Sequence, residues 1–151
     1  MDIRGDKLEA AQKLGATHLV NSREEDAVAK VRVLTDGDGV DAAFEVLGRP
    51  ETFQQAVEMV RDGGRMVAVG IAPGKTAANV EITRLVRRSL RLVGSYGART
   101  RTDMPQILKL AAQGFFRPEK MVTRRYSLQQ VGDAYQALDR GDIVGRAIVV
   151  P

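Results

Sequence analysis

The 151 residues, 44% hydrophobic and 28% charged, have the composition of one globular domain of ordinary size and not of a disordered chain. Having no cysteine excludes disulfides, thiolate zinc sites and thiol nucleophiles, and a single histidine excludes a His-pair metal site. A formal charge of +4 demands no polyanionic partner, no run approaches the roughly 20 apolar residues of a membrane span, and the amino terminus MDIRGDKLEA has no signal-peptide character, so a cytoplasmic protein is expected.

Apolar periodicity alternates between 3.6 and two along the chain, with glycine-containing turns between, which predicts an α/β layered fold. Asp6 to Leu14 reads as a helix stopped by Gly15, with Leu8, Ala11 and Leu14 on one side, and Thr17 to Val20 as a short strand. Ser22 and Glu25 have capping-box spacing ahead of a second helix carrying Ala27, Val31 and Leu34 on one face. Val40 to Leu47 is a buried strand. Pro50 opens a third helix with Phe53, Val57 and Val60 in a stripe and Gly63-Gly64 as its end. Met66 to Ile71 is the next strand, Thr83 to Arg88 a short helix, and Leu90 to Gly94 a further strand. After a break at Gly97 to Thr102, Asp103 to Gln113 is helical with Ile107, Leu110 and Ala111 inward, and Met121 to Tyr126 is extended. Ser127 with Gln130 caps a last helix striped by Leu128, Val131, Tyr135 and Leu138, and Ala147 to Val150 is a terminal strand. The break divides the chain into residues 1–98 and 99–151.

Asp2 precedes a helix at the head of this alternation, where a dinucleotide fold grips the adenosine ribose through both hydroxyls. The order and wording that follow it, DIRGDKLEAAQKLGATHLVN, DGDGVDAAFEVLGRPETFQQA, MVRDGGRMVAVGI, LRLVGSYG and GRAIVVP, resemble the C-terminal part of the zinc-type medium-chain alcohol dehydrogenases along essentially the whole sequence. The resemblance implies an incomplete Rossmann-type doubly wound parallel sheet, lacking its first strand and glycine-rich turn, in residues 1–98. Residues 99–151 would then return to the catalytic domain. It implies NAD as cofactor, with Asp2 and Lys7 on the adenosine ribose, while Arg4 beside them leaves NADP open. Val46, Leu47 and Gly48 would lie along adenosine and the second ribose, and Arg49 next to the adenine. Val69 and Gly70 would back the nicotinamide, Ser95 and Tyr96 would bind its carboxamide through main chain, and Arg146 would meet the pyrophosphate. Ile71 is the candidate for the substrate pocket, the substrate being a small alcohol or aldehyde. The family's zinc ligands have no counterpart here, so the resemblance places zinc in a preceding N-terminal part and assigns this chain no catalytic residue and no metal. In the strand order 3-2-1-4-5-6, losing strand 1 would leave a gap mid-sheet and a marginal domain.

Other readings are weaker. Gly70 to Thr76 looks like a phosphate loop but has Val69 where the first glycine belongs. Arginines 84, 87, 88, 91, 99, 101, 124 and 125 form basic clusters without the aromatics that stack bases, so no nucleic-acid partner is expected. Glu45 is expected to pair structurally, and His18 to be a satisfied polar side chain. The reading of another class is a non-catalytic remnant that serves as a dimerisation or interaction module, the strand Leu90 to Gly94 joining two copies into a homo-oligomer.

Overall fold

In the computed structural model, which describes residues 1–151, the elements run α1 (Gly5–Lys13), α2 (Ala27–Leu34), β1 (Val40–Glu45), α3 (Pro50–Met59), β2 (Val60–Ala68), α4 (Ile82–Arg87), β3 (Arg91–Gly94), α5 (Thr100–Ala112), β4 (Val122–Ser127), α6 (Val131–Asp139) and β5 (Arg146–Val150). They form two compact units: Val20–Gly97 with Met1, and Asp2–Leu19 with Ala98–Pro151.

The first unit holds a three-stranded parallel sheet in the order β1-β2-β3. Parallel neighbours need crossovers, and α3 and α4 supply them. Val57 and Ala56 of α3 bury against Val60, Met66 and Leu90, with Ala43, Ala68 and Leu85 at the margin. A second cluster, Val20, Ala27, Val31 and Met59, seats α2 on α3. On the opposite face of β1, Phe44 is 66% exposed.

Several elements differ from those the sequence predicts. Thr17 to Val20 forms no strand: no neighbour offers it a hydrogen-bonding ladder. The second helix is capped not by Ser22 and Glu25 but by Asp26, whose carboxylate accepts from the Val28 and Ala29 N–H groups at 2.9 and 3.0 Å. Helix α3 stops at Met59, and Val60 already opens β2, where Gly63-Gly64 lies in an irregular stretch: Val40 pairs with Val60, but Ala42 pairs with Arg65. Strand β1 ends at Glu45, and Val46 and Leu47 belong to the following turn.

The start of this sheet is tied by arginines. Arg32 donates to the carbonyls of Glu58 and Asp38 at 2.5 Å each, and Arg88 donates to the Val60 carbonyl and to Asp62. With Arg61 and Arg84 they line a cleft of about 640 Å³. Burial, followed by the nearby Arg88 and Arg84 charges, holds the Arg32 guanidinium below its ordinary value. The donors of Arg32 and Arg88 are committed to main chain and Asp62, and Arg61 pairs with Asp41, so these parts of the basic cluster are structural.

In the second unit β4 and β5 pair in parallel, Val122 with Arg146 and Ser127 with Val150, and α6 packs on both. The Ser127–Gln130 capping box is present, leading through a 3-10 turn into α6. Helix α5 begins at Thr100, three residues before the expected start, because the Asp103 carboxylate accepts from the Arg99 N–H at 2.9 Å and organises the first turn. Ile107 and Leu110 are exposed, as are Leu128, Tyr135 and Leu138; the residue α6 buries is Ala137. The apolar stripes exist, but nothing within this chain covers most of their length.

Candidate functional site

Strands β1, β2 and β3 are adjacent and parallel, so the turns that follow them, 46–49, 69–71 and 95–96, gather along one edge of the sheet. Open α/β sheets take ligands at the carboxyl ends of their strands. The structure thus brings together Val46, Leu47, Gly48, Arg49, Val69, Gly70, Ile71, Ser95 and Tyr96 in the first unit. Asp2, Lys7 and Arg146 belong to the second unit.

The edge is built on Glu45, the last residue of β1 and the one buried polar or charged residue in the chain, at 4% exposure. Its carboxylate accepts from Leu47 N–H at 2.8 Å, Gly48 N–H at 3.0 Å and the Thr52 hydroxyl at 2.8 Å. Its own carbonyl accepts from Val69 and Gly70 N–H at 2.8 and 3.0 Å. Burial pushes this carboxyl up, but the Thr52 hydroxyl and the N–H groups of Leu47, Gly48 and Arg49 outweigh it, and the group titrates below the usual glutamate range. Thr52 is the third residue of α3, whose amino-terminal dipole also favours the anion. Glu45 therefore pairs with no cation, as expected of a structural partner, yet its partner is the turn itself.

The two turns interlock through glycines. A Cβ on Gly70 would lie 2.6 Å from Leu47 N, and one on Gly48, at φ +77°, would lie 2.6 Å from the Ile71 carbonyl oxygen. Only glycine lets the main chains approach this closely. Around them Val46, Leu47 and Ile71 stand 64%, 64% and 70% exposed, and Tyr96 stands free in solvent. Ser95 donates its N–H to the Ala68 carbonyl at 2.8 Å.

This leaves a definite chemistry. The N–H groups of Leu47, Gly48, Val69, Gly70 and Ser95 are all engaged, whereas the carbonyls of Leu47, Gly48, Gly70 and Ser95 accept no hydrogen bond. An edge of open acceptors beside bare apolar side chains fits the hydroxyl donors of a ribose and the N–H donors of a carboxamide, with flat ring faces against the apolar side chains. The carboxylate of Glu45 already takes the Thr52 hydroxyl in the first turn of α3.

In the second unit Asp2 accepts from Arg4 N–H at 3.0 Å through its carboxylate. The Arg4 guanidinium donates to Asp6 and to the Gly141 carbonyl, and the Asp6 hydrogen bond raises it above its ordinary value. The Lys7 ammonium makes no ion pair, and Arg146 reaches only the Gly145 carbonyl, at 3.4 Å. Arg49 approaches Glu51 at 3.7 Å. His18 pairs with the Thr17 hydroxyl at 3.1 Å. No three His, Cys, Asp or Glu side chains converge as a metal site, and these residues do not fit a zinc ion. Sequence reasoning missed the roles of Glu45 and Thr52; the readable signal was an acid closing a strand seven residues before a threonine in the first turn of a Pro-opened helix.

The zinc-binding dehydrogenase family model matches residues 1–113. Over 135 residues the chain is 33% identical to a sorbitol dehydrogenase of Bacillus subtilis (strain 168), covering 89% of this chain and 37% of that protein. It superimposes on the benzyl alcohol dehydrogenase of Acinetobacter calcoaceticus with a TM-score of 0.89 at 29% identity, over 98% of this chain and 41% of that one. For an alcohol dehydrogenase zinc-binding domain protein of Burkholderia ambifaria the TM-score is 0.89 at 31% identity, over 99% and 40%. The chain spans about two fifths of the length of such relatives, corresponding to their C-terminal part. Both the sequence match and the parallel sheet with its crossovers lead to one conclusion: the chain belongs to the zinc-binding dehydrogenase family of oxidoreductases.

Proposed function

We propose that this chain is the cofactor-holding part of a nicotinamide-dependent alcohol dehydrogenase, binding NAD while hydride passes between an alcohol and the nicotinamide ring. The observation that carries this reading is the acceptor-lined edge at Leu47, Gly48, Gly70 and Ser95, flanked by exposed Leu47 and Ile71. Its open carbonyls suit the ribose hydroxyls and the carboxamide amine, and its apolar side chains suit the ring faces. Val69 and Gly70 would back the nicotinamide, Ser95 and Tyr96 would fix the carboxamide, and Ile71 would border the substrate.

Asp2 is proposed to take the adenosine ribose hydroxyls with Lys7, and Arg146 and Arg49 to serve the pyrophosphate and adenine. The commitment of the Arg4 guanidinium to Asp6 and Gly141 supports NAD over NADP, since it is not free to pair with a 2′-phosphate. The alcohol-polarising zinc of the family finds no donor set among these residues. The chain's share of the reaction is binding and orientation.

Titration of the purified chain with NADH, followed by the blue shift and rise in nicotinamide fluorescence, tests this. Saturable binding at about 1 to 100 μM, displaced by NAD and poorly by NADP, is expected. No saturation with any nicotinamide dinucleotide contradicts it.

A further inference from the structure

The Glu45 carboxylate is buried, and its hydrogen-bond partners include no cation. We infer that Glu45 is the positioning residue of the cofactor edge, consuming the Leu47 and Gly48 N–H groups and the Thr52 hydroxyl so that the Leu47 and Gly48 carbonyls are what this turn presents to the ligand. This deepens the proposed function and rests on it.

The geometry gives the reason. Without an internal anion, Leu47 N–H, Gly48 N–H and the first turn of α3 would form a cluster of donors that attracts small anions and competes for phosphate. Glu45 supplies that anion from within the chain. Through its carbonyl the same residue holds Val69 and Gly70, so one side chain and its own main chain fix both interlocked turns. Thr52 completes the arrangement, donating to Glu45 at 2.8 Å and contacting the Arg49 carbonyl at 3.1 Å. A ligand then meets a preformed surface, and the ordering of these turns does not weigh against its binding.

The test uses Glu45→Ala, Thr52→Val and Thr52→Ser in the full chain, read by amide hydrogen exchange at Leu47 and Gly48 and by NADH affinity. Glu45→Ala is expected to speed exchange at both amides and weaken NADH binding by about tenfold or more, as loss of a charged acceptor implies. Added formate, a free carboxylate of the right size for the vacated space, restores both in Glu45→Ala and changes nothing in Thr52→Val. Thr52→Val gives a smaller loss, Thr52→Ser stays within about twofold of the parent, and this pair decides the matter if Glu45→Ala does not fold. Unchanged exchange in the folded variants overturns the inference, as does faster exchange with unchanged NADH affinity. A parent chain that binds no nicotinamide dinucleotide, with the exchange pattern as expected, overturns the proposed function and leaves Glu45 as the residue that assembles the turn.

Discussion

A methyl group at Gly70 has nowhere to go, because Leu47 and Gly48 main chain already fill the space and neither turn can retreat without breaking its bonds to Glu45. Gly70→Ala is accordingly expected to lower stability by about 2 to 4 kcal/mol in urea unfolding, through overpacking. Gly132, inside α6 with open space around it and an ordinary φ, is the contrast: Gly132→Ala should raise stability by about 0.5 to 1 kcal/mol. Glu45→Gln keeps the shape but turns an acceptor-only group into one whose amide NH2 faces N–H donors, and should cost about 2 to 3 kcal/mol near neutral pH. Since the folded carboxyl titrates below its unfolded value, its contribution is complete above about pH 4.3 and fades as pH falls further through the folded value. The gap in melting temperature between the parent and Glu45→Gln should therefore shrink in acid and hold steady from pH 5 to 8.

Caps and stripes show what could be read in advance at the level of elements. The Ser127–Gln130 box and the Pro50 opening were legible because the signal is local: a few side chains and the N–H groups within one turn. The same logic misplaced the cap of α2. Ser22 and Glu25 have the spacing, but Asp26 adjoins the first helical residue and its carboxylate reaches two N–H groups. Asp26→Ala should cost about 1 kcal/mol and Ser22→Ala less than about 0.5 kcal/mol in chemical unfolding. Equal losses would return the cap to Ser22. Thr17 to Val20 and the stripes of α5 and α6 failed for another reason. Periodicity says that a segment can form one face, whereas pairing and burial depend on a neighbour that no window of sequence contains. The candidate edge was legible as glycines and apolar residues at strand ends, but the assembly of its turns by Glu45 required knowing which N–H groups a buried carboxylate meets.

At the scale of the whole molecule the chain carries a core around β2 and wide apolar surface elsewhere, including Phe44, Ile107, Leu128, Tyr135 and Leu138. Strand β3 hydrogen-bonds only to β2, and its other edge is bare, with Leu92 and Val93 exposed. Unpaired edges of this kind join copies of a chain. Light scattering should show dimers that Val93→Lys converts to monomers; a monomeric parent removes β3 as a contact. No helix is long and apolar enough to cross a membrane.

The carboxyl ends of β1, β2 and β3 are proposed to receive a nicotinamide dinucleotide. Mapping amide chemical-shift changes as NAD is added to the isotope-labelled chain addresses it most directly. Saturable shifts concentrated at Leu47, Gly48, Gly70, Ile71, Ser95 and Tyr96 are expected, with residues at the opposite end of the sheet, such as Arg32 and Arg88, unmoved. Saturable shifts centred on the arginine cleft, or none at any residue, would contradict it.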